Sequence, residues 1–493
     1  MKTRNEVSVP ESILSHATRS AWYPRIWHRA LNNYPSRRSR VVHLVITVAT
    51  TVAVYYQLFV TSGVAPLQLE HFHMSFKYYT VMIALSNIMG AIVGVLGGLS
   101  DRYGRSNMIV YGLLGSSLLV FIALPNAPNK EILLIESCLV GGIEGVVLAA
   151  SPALMRDFSP QLSRGKVMGS WVIGPVLGTF LVSVVATATL PVYKTWQSQY
   201  YICGAFGFLI FFISFLWLRE LSPQLRGQVI VSERERVLVE VRAKGIDLVE
   251  STSHPWRQVC RIPIIAPIIG YSVGLIIYFT MSAFGAIFLV AVFGFTLSQA
   301  NGIAAWGWLA DGVLAVGCGW LSDRLVVRKP VIVGCIALAV AAIVLFTSKI
   351  GTHPGYGSVV VAMMLLSGAV GGFSGVFFAG FTETVEDINP ALTGAAFAVF
   401  GWIFRLIASG SILALALMVT ASNERGDALE QWHGWFVLCL VAEVAFIPLA
   451  MFLRGGWNPI AARAEVRAHE QRISELLTVS PDDPSARSDL EQV

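Results

Sequence analysis

Charged side chains are scarce in this sequence, at 13% of residues against 55% hydrophobic ones. A soluble chain of 493 residues needs more charge than that to cover its surface, so a water-soluble globular enzyme is excluded as the leading class. Cysteine is equally uninformative as a framework. The six residues (Cys138, Cys203, Cys260, Cys318, Cys335 and Cys439) are scattered and form no C-x-x-C pair, so neither a disulfide scaffold nor a metal site is indicated. No G-x-x-x-x-G-K-[ST] loop is present, which removes ATP as the driving force. No Ser-His-Asp or H-E-x-x-H cluster falls at membrane depth, so catalysis is not expected and no cofactor is called for. The first forty residues are polar and basic, unlike a cleavable leader.

What the sequence does have is long apolar runs, with a mean hydropathy of +0.65. Runs of about 18 or more apolar residues can cross a bilayer as helices. They occur at about 41–63, 79–99, 107–125, 132–155, 167–190 and 200–218, then at 263–293, 300–321, 331–348, 358–382, 392–420 and 434–453. Pro66, Pro125, Pro128, Pro191 and Pro354 are read as turn markers between runs. The runs lack strand-like alternation, so an all-α membrane protein of about twelve helices is expected, six and six. The implied organisation is a tail (1–40), a first bundle (41–218), a central loop (219–262), a second bundle (263–453) and a second tail (454–493). Within the loop and tails, 232–245 and 463–477 read as surface helices and 480–493 as disordered.

Lys and Arg are distributed unevenly. The first tail carries eight, the central segment 219–262 another eight, and the loops at 100–106, 156–166 and 322–330 eight more. The alternate loops carry only Lys77, Lys130, Lys194, Lys349 and Arg425. This bias predicts cytoplasmic termini in a multi-pass plasma-membrane protein. The net charge of +5 is thereby explained by topology, without a nucleic-acid partner.

A short charged loop occurs twice: GGLSDRYGRSN at 97–107 and GWLSDRLVVRK at 319–329, with Asp101 and Asp323 separated by 222 residues. A second echo, DFSPQLSRG after Asp157 and DINPALTG after Asp387, has a spacing of 230. Two parallel six-helix repeats are the mark of a transporter that rocks about a midplane site. On these residues the sequence resembles the major facilitator superfamily over about 41–455. The family signature G-x-L-x-D-R-x-G-R is met by Gly97, Leu99, Asp101, Arg102, Gly104 and Arg105. In the second copy Gly319, Leu321, Asp323 and Arg324 are in place, and Val326 stands where the second Gly should be. The resemblance implies that Asp101, Arg102, Arg105, Asp157, Asp323 and Arg324 serve gating, with Gly97 and Gly104 permitting the turn.

Gly174, Pro175 and Gly178 resemble the helix-five G-P-x-x-G pattern of antiporters, which implies close packing between the halves. The helix-four pattern keeps Glu144 and Gly145 but has Ser137 where an Arg is expected, so no proton role is carried over from that Arg.

Charges at membrane depth are costly and mark function or a partner. Glu144 is the first candidate for a carboxylate that holds a proton or a substrate in turn. Arg405 either attracts an anion or neutralises Asp311 or Glu144. Asp311 is weighted toward a structural role, and Glu443 is read as structural or facing polar partners. Tyr55, Tyr56, Gln57, Trp306 and Trp308 are candidate cavity walls, with packing the commoner fate. His71 and His73 fall in an outer loop. The expected function is proton-coupled export of an amphipathic or aromatic compound, with uptake of an organic acid as the alternative. Its partners are a small substrate, protons and lipid. The oligomeric state is left open, and a monomer is compatible with the sequence.

Overall fold

The computed structural model describes residues 29–95, 103–159, 164–222, 224–226, 255–389, 392–419, 425–464, 467–468 and 471. Gly97, Leu99, Asp101 and Arg102, the 232–245 segment and the 480–493 tail lie outside the described residues.

Among the described residues, twelve helices are long and apolar enough to span a membrane. They are α1 (Arg37–His71), α2 (Phe76–Val95), α3 (Arg105–Asn126), α4 (Lys130–Phe158), α5 (Arg164–Tyr193), α6 (Trp196–Trp217), α7 (Ile262–Phe293), α8 (Leu297–Leu325), α9 (Lys329–Lys349), α10 (Tyr356–Ile388), α11 (Thr393–Met418) and α12 (Arg425–Ala450). The apolar runs located every one of them. Most helices outlast their apolar windows by several residues, because polar termini continue the turn and cap it. Ser36 accepts from the Ser39 amide, Asn129 from the Ile132 amide, and Thr296 with Gln299 forms a capping box.

Three proline expectations are corrected. Pro66 lies inside α1, Pro125 in the tight last turn of α3 and Pro191 inside α5. In a bundle, neighbouring helices and local adjustments compensate the missing amide, so a proline need not end a membrane helix. Two irregularities had no sequence signal: a turn of π-helix at Leu119–Ala123 in α3, and an interruption of α7 at Leu275.

The repeat is visible in the packing. In the first half α2 crosses α4 where Gly141 and Gly145 leave room for the backbone at Ser86 and Gly90. In the second half α8 crosses α10 where Gly371 and Gly375 leave the same room for Asp311 and Ala315. Both small pairs are four residues apart and lie one repeat of 230 residues from each other. Between halves, α2 packs on α11, α5 on α8 and α1 on α7. The first two contacts are exchanged by the pseudo-two-fold axis, as expected of two related bundles.

The halves are pinned at the face opposite the basic loops. There Asn301 donates to the Gly63 carbonyl at 2.9 Å, and Ser298 donates to the Thr187 carbonyl at 3.0 Å. Phe76 of α2 meets Phe284 and Trp432 of the other half edge-on.

Candidate functional site

Two places carry the sequence-predicted residues: a charge cluster at the basic face and a polar layer at mid-membrane.

At the basic face, Arg105 opens α3 with its side chain buried. Its Nη1 donates to both oxygens of Asp157 at 2.7 and 2.8 Å and to the Ala153 carbonyl at 3.0 Å. Two residues assigned to gating, Arg105 and Asp157, are thereby brought together. Two partners were missed. Glu220, just beyond α6, accepts from the Arg105 amide at 2.7 Å, and Arg226 lies 3.3 Å from Glu220 and 3.6 Å from Asp157. Burial pushes the Glu220 carboxyl above the usual carboxylate range, and the Arg105 amide and the Arg226 charge pull it back. A short parallel pairing of β1 (Ala30–Leu31) with β2 (Glu220–Leu221) holds this stretch in place. Arg29 donates to the carbonyls of Phe215 and Leu218 at the end of α6.

Gly104 has φ of 95° and its Cα faces Glu220, so a side chain there would be strained and blocked at once. The corresponding residue of the second copy, Val326, also adopts a left-handed backbone, with φ of 59°. Both copies thus hold a positive φ at this position, but the backbone differs: Gly104, with ψ of 129°, leads into α3, whereas Val326, with ψ of 33°, is the left-handed cap that ends α8, a conformation costly for a β-branched residue.

In the second copy Asp323 is exposed and pairs with Arg328, which also pairs with Glu383 at 2.7 Å. Arg324 stacks over Trp320. Glu383 occupies the repeat position of Ala153, so Arg328 has the role of Arg105, shifted a helical turn toward the start of α10. Asp387 lies 3.8 Å from Arg454 in an exposed pair.

Burial separates these clusters energetically. Asp157→Asn should lower the thermal stability of the purified protein by about 3 kcal/mol or more, since it removes the buried carboxylate that Arg105 and Arg226 share. Glu383→Gln, at a half-exposed ion pair, should cost about 1 kcal/mol or less. Equal melting temperatures for the two variants would contradict this ordering.

At mid-membrane, Tyr55 (α1) and Tyr278 (α7) lie within electrostatic reach of each other across the halves. Arg405 (α11) also acts on Tyr55. Its Nη1 would stand 3.1 Å from a Cβ placed on Gly94 of α2, so the guanidinium reaches over the first half. Among the described residues Arg405 makes no hydrogen bond or ion pair, and it is only half-buried. It is not paired with Asp311 or with Glu144. Asp311 turns instead into its own half, against Gly371 of α10 and within reach of Tyr271 and Tyr278. Glu144 is 1% exposed, and among the described residues neither carboxyl oxygen has a hydrogen-bond partner. Both Tyr55 and Cys203 feel it electrostatically.

Above this layer, toward the pinned face, a small cavity of about 20 Å³ lies between the halves. Phe59, Ser62, Thr179, Met281, Asn301 and Trp308 line it, which agrees with the expectation for Trp308. Trp306 is half-exposed and absent from the lining.

Three expectations are corrected. Gln57 does not face the cavity: its amide donates to Ser117 at 2.8 Å and accepts from Ser116 at 2.7 Å, inside the first half. A buried amide is held where its hydrogen bonds are met. Tyr56 is 2% exposed and packs on Phe206 of α6. Gly174 and Gly178 do not pack between the halves. They lie against Thr51 and Tyr55 of α1, within one bundle, and Val176 on the other side of α5 meets Gly312 of α8. Pro175 sits within α5, where its carbonyl accepts from Thr179 at 2.9 Å.

The family model described as the Major Facilitator Superfamily matches residues 47–412. The chain belongs to this superfamily. It is 22% identical to human "Sialin" over 410 residues, which cover 79% of each chain. Its fold is similar to that of a bacterial homolog to human lysosomal transporter, Spinster, in an inward-facing and unoccupied conformation. That likeness has a TM-score of 0.65 at 14% identity, covering 85% of this chain and 98% of the other. It is also similar to a D-xylose-proton symporter, with a TM-score of 0.62 at 17% identity and coverage of 82% and 97%. The chain is therefore a multi-pass secondary transporter of the superfamily and not an enzyme.

Proposed function

We propose that this transporter carries a small organic anion of amphipathic or aromatic character, together with protons, by alternating access. The observation that carries the reading is Arg405, a permanent cation at mid-membrane with no ionic partner among the described residues. Such a charge is costly unless something compensates it, and a carboxylate or similar anion entering between the halves would do so. Tyr55, Tyr278 and Trp308 offer aromatic walls beside it. Glu144 supplies the proton-holding group: enclosed without a partner, it is stable as a neutral acid and ionises when water or a donor reaches it.

The basic loops are read as cytoplasmic in the plasma membrane, with both termini on that side. The contacts at Gly63, Thr187 and Phe76 then close the outer face, which describes an inward-open carrier. The Arg105–Asp157–Glu220 cluster and the Asp323–Arg328–Glu383 cluster are the gating hardware of the two halves, in which Asp101, Arg102 and Arg324 take part.

Export of an uncharged amphipathic compound is the second reading, favoured by the apolar share of the cavity lining, Phe59, Met281 and Trp308. Counterflow in proteoliposomes separates the two. Preloaded aromatic and aliphatic carboxylates should accelerate uptake of a labelled carboxylate, and hydrophobic cations or neutral amphiphiles should not. The reverse pattern would replace the anion reading with the second one.

A further inference from the structure

The central site leaves one membrane-buried acid unused. Glu443 of α12 is fully buried, and among the described residues neither of its carboxyl oxygens has a hydrogen-bond partner. The sequence read it as structural or facing polar partners, and the structure surrounds it with packing. On the same face of α12, the Trp435 indole donates to Thr280 of α7 at 2.9 Å, and Phe446 fills the space over Gly270 and Gly274 of α7. Glu443 sits between these contacts along the antiparallel pair, which sets it opposite the interruption of α7 at Leu275.

The elements packed on α12 are α7, α9 and α11. The titratable side chains they and α12 bring to this depth are Tyr271, Cys335 and Cys439. The cation of α11, Arg405, reaches the other way to Gly94. Among the described residues no cation pairs with Glu443.

We propose that Glu443 is a proton-binding site of the second half, carried as the neutral acid in this conformation and set apart from the central layer. An unpaired carboxylate in such surroundings is strongly disfavoured, whereas the protonated group packs as a small polar side chain. Loss of the proton requires water to enter where α7 is interrupted. Proton occupancy is thereby linked to the shape of the helix that carries Tyr278 to the contact between halves. The site rests on this packing and does not depend on what the central layer binds.

The test uses the full-length protein, purified in detergent, in a Glu144→Gln, Asp311→Asn background so that the two buried acids of the central layer do not contribute. Dicyclohexylcarbodiimide adds the O–H of a protonated carboxyl across its C=N bond, and the adduct rearranges to an N-acylurea without a leaving group. Mass spectrometry should find the adduct on the peptide carrying Glu443, and Glu443→Gln should remove it. Because the reagent can be excluded by size, infrared spectroscopy supplies the second reading. The carbonyl stretch of a protonated carboxylic acid should be present and should disappear in Glu443→Gln. That variant should fold with an unchanged melting temperature, since it retains the neutral form. An adduct, or the infrared band alone, supports the site. Identical spectra with and without Glu443, or a Glu443→Gln protein that fails to fold, would overturn it by showing that the group is ionised or that its charge is needed.

Discussion

Arg405→Ala should fold, insert and retain its melting temperature, yet lose binding of organic anions by at least about thirtyfold. Stability is expected to survive because no described acid leans on this guanidinium: Asp311 faces Gly371, and Glu144 has no hydrogen-bond partner. If Arg405 neutralised either acid, its removal would strand a carboxylate in a low-dielectric setting and cost about 3–5 kcal/mol. The affinity loss follows from truncating one partner of a charge pair that forms only with ligand, roughly 2–5 kcal/mol. Arg405 is half-buried, so the lower end applies, which gives the thirtyfold figure. Arg405→Lys should keep some of the binding, since the charge remains and the planar fork is lost. Binding by isothermal titration and melting by intrinsic fluorescence read the two effects separately. An unstable Arg405→Ala protein rescued by a second change at Asp311 would show that the protein, not the ligand, compensates the charge.

The features of this structure legible in the sequence are those set by local composition. The twelve apolar runs fix twelve helices because a backbone in lipid has no other way to satisfy itself. The doubled D-R loops identify the repeat, and the structure returns a positive φ at both Gly104 and Val326. Val326 shows where local reasoning stops, since nothing in a valine announces a positive φ. Pairings across long chain separations were also illegible. Glu220 meets the Arg105 amide across 115 residues, and no spacing rule anticipates it.

Polar and small residues within helices were legible as exceptions but not in direction. Gln57 could have faced a cavity or a hydroxyl pair, and only the positions of Ser116 and Ser117 decide. Gly174 and Gly178 announce a close approach without naming the approaching helix, which turned out to be α1. Glu144 and Arg405 were recognisable because charge in a membrane helix is rare. Their lack of partners, on which the functional reading turns, is a property of the assembled bundle alone.

The remaining large effect belongs to Glu144. Glu144→Gln should abolish transport driven by a pH gradient while leaving substrate exchange at equal pH on both sides intact. The carboxyl is enclosed by α4 and its neighbours, and Gln has the same shape, so the protein should fold at least as well as the parent. What the variant cannot do is release and rebind a proton. A carrier frozen in the neutral form would still cycle with substrate bound, since that form demands no counter-charge in the apolar layer between the two faces. Counterflow should therefore persist within about a factor of three, and accumulation against a gradient should vanish. The proton movement that accompanies substrate, read with a pH-sensitive dye inside proteoliposomes, should vanish with it. Gradient-driven accumulation at the parental rate in Glu144→Gln would remove this carboxyl from coupling. Asp311, the other acid of the mid-membrane layer, would then be the group to replace next.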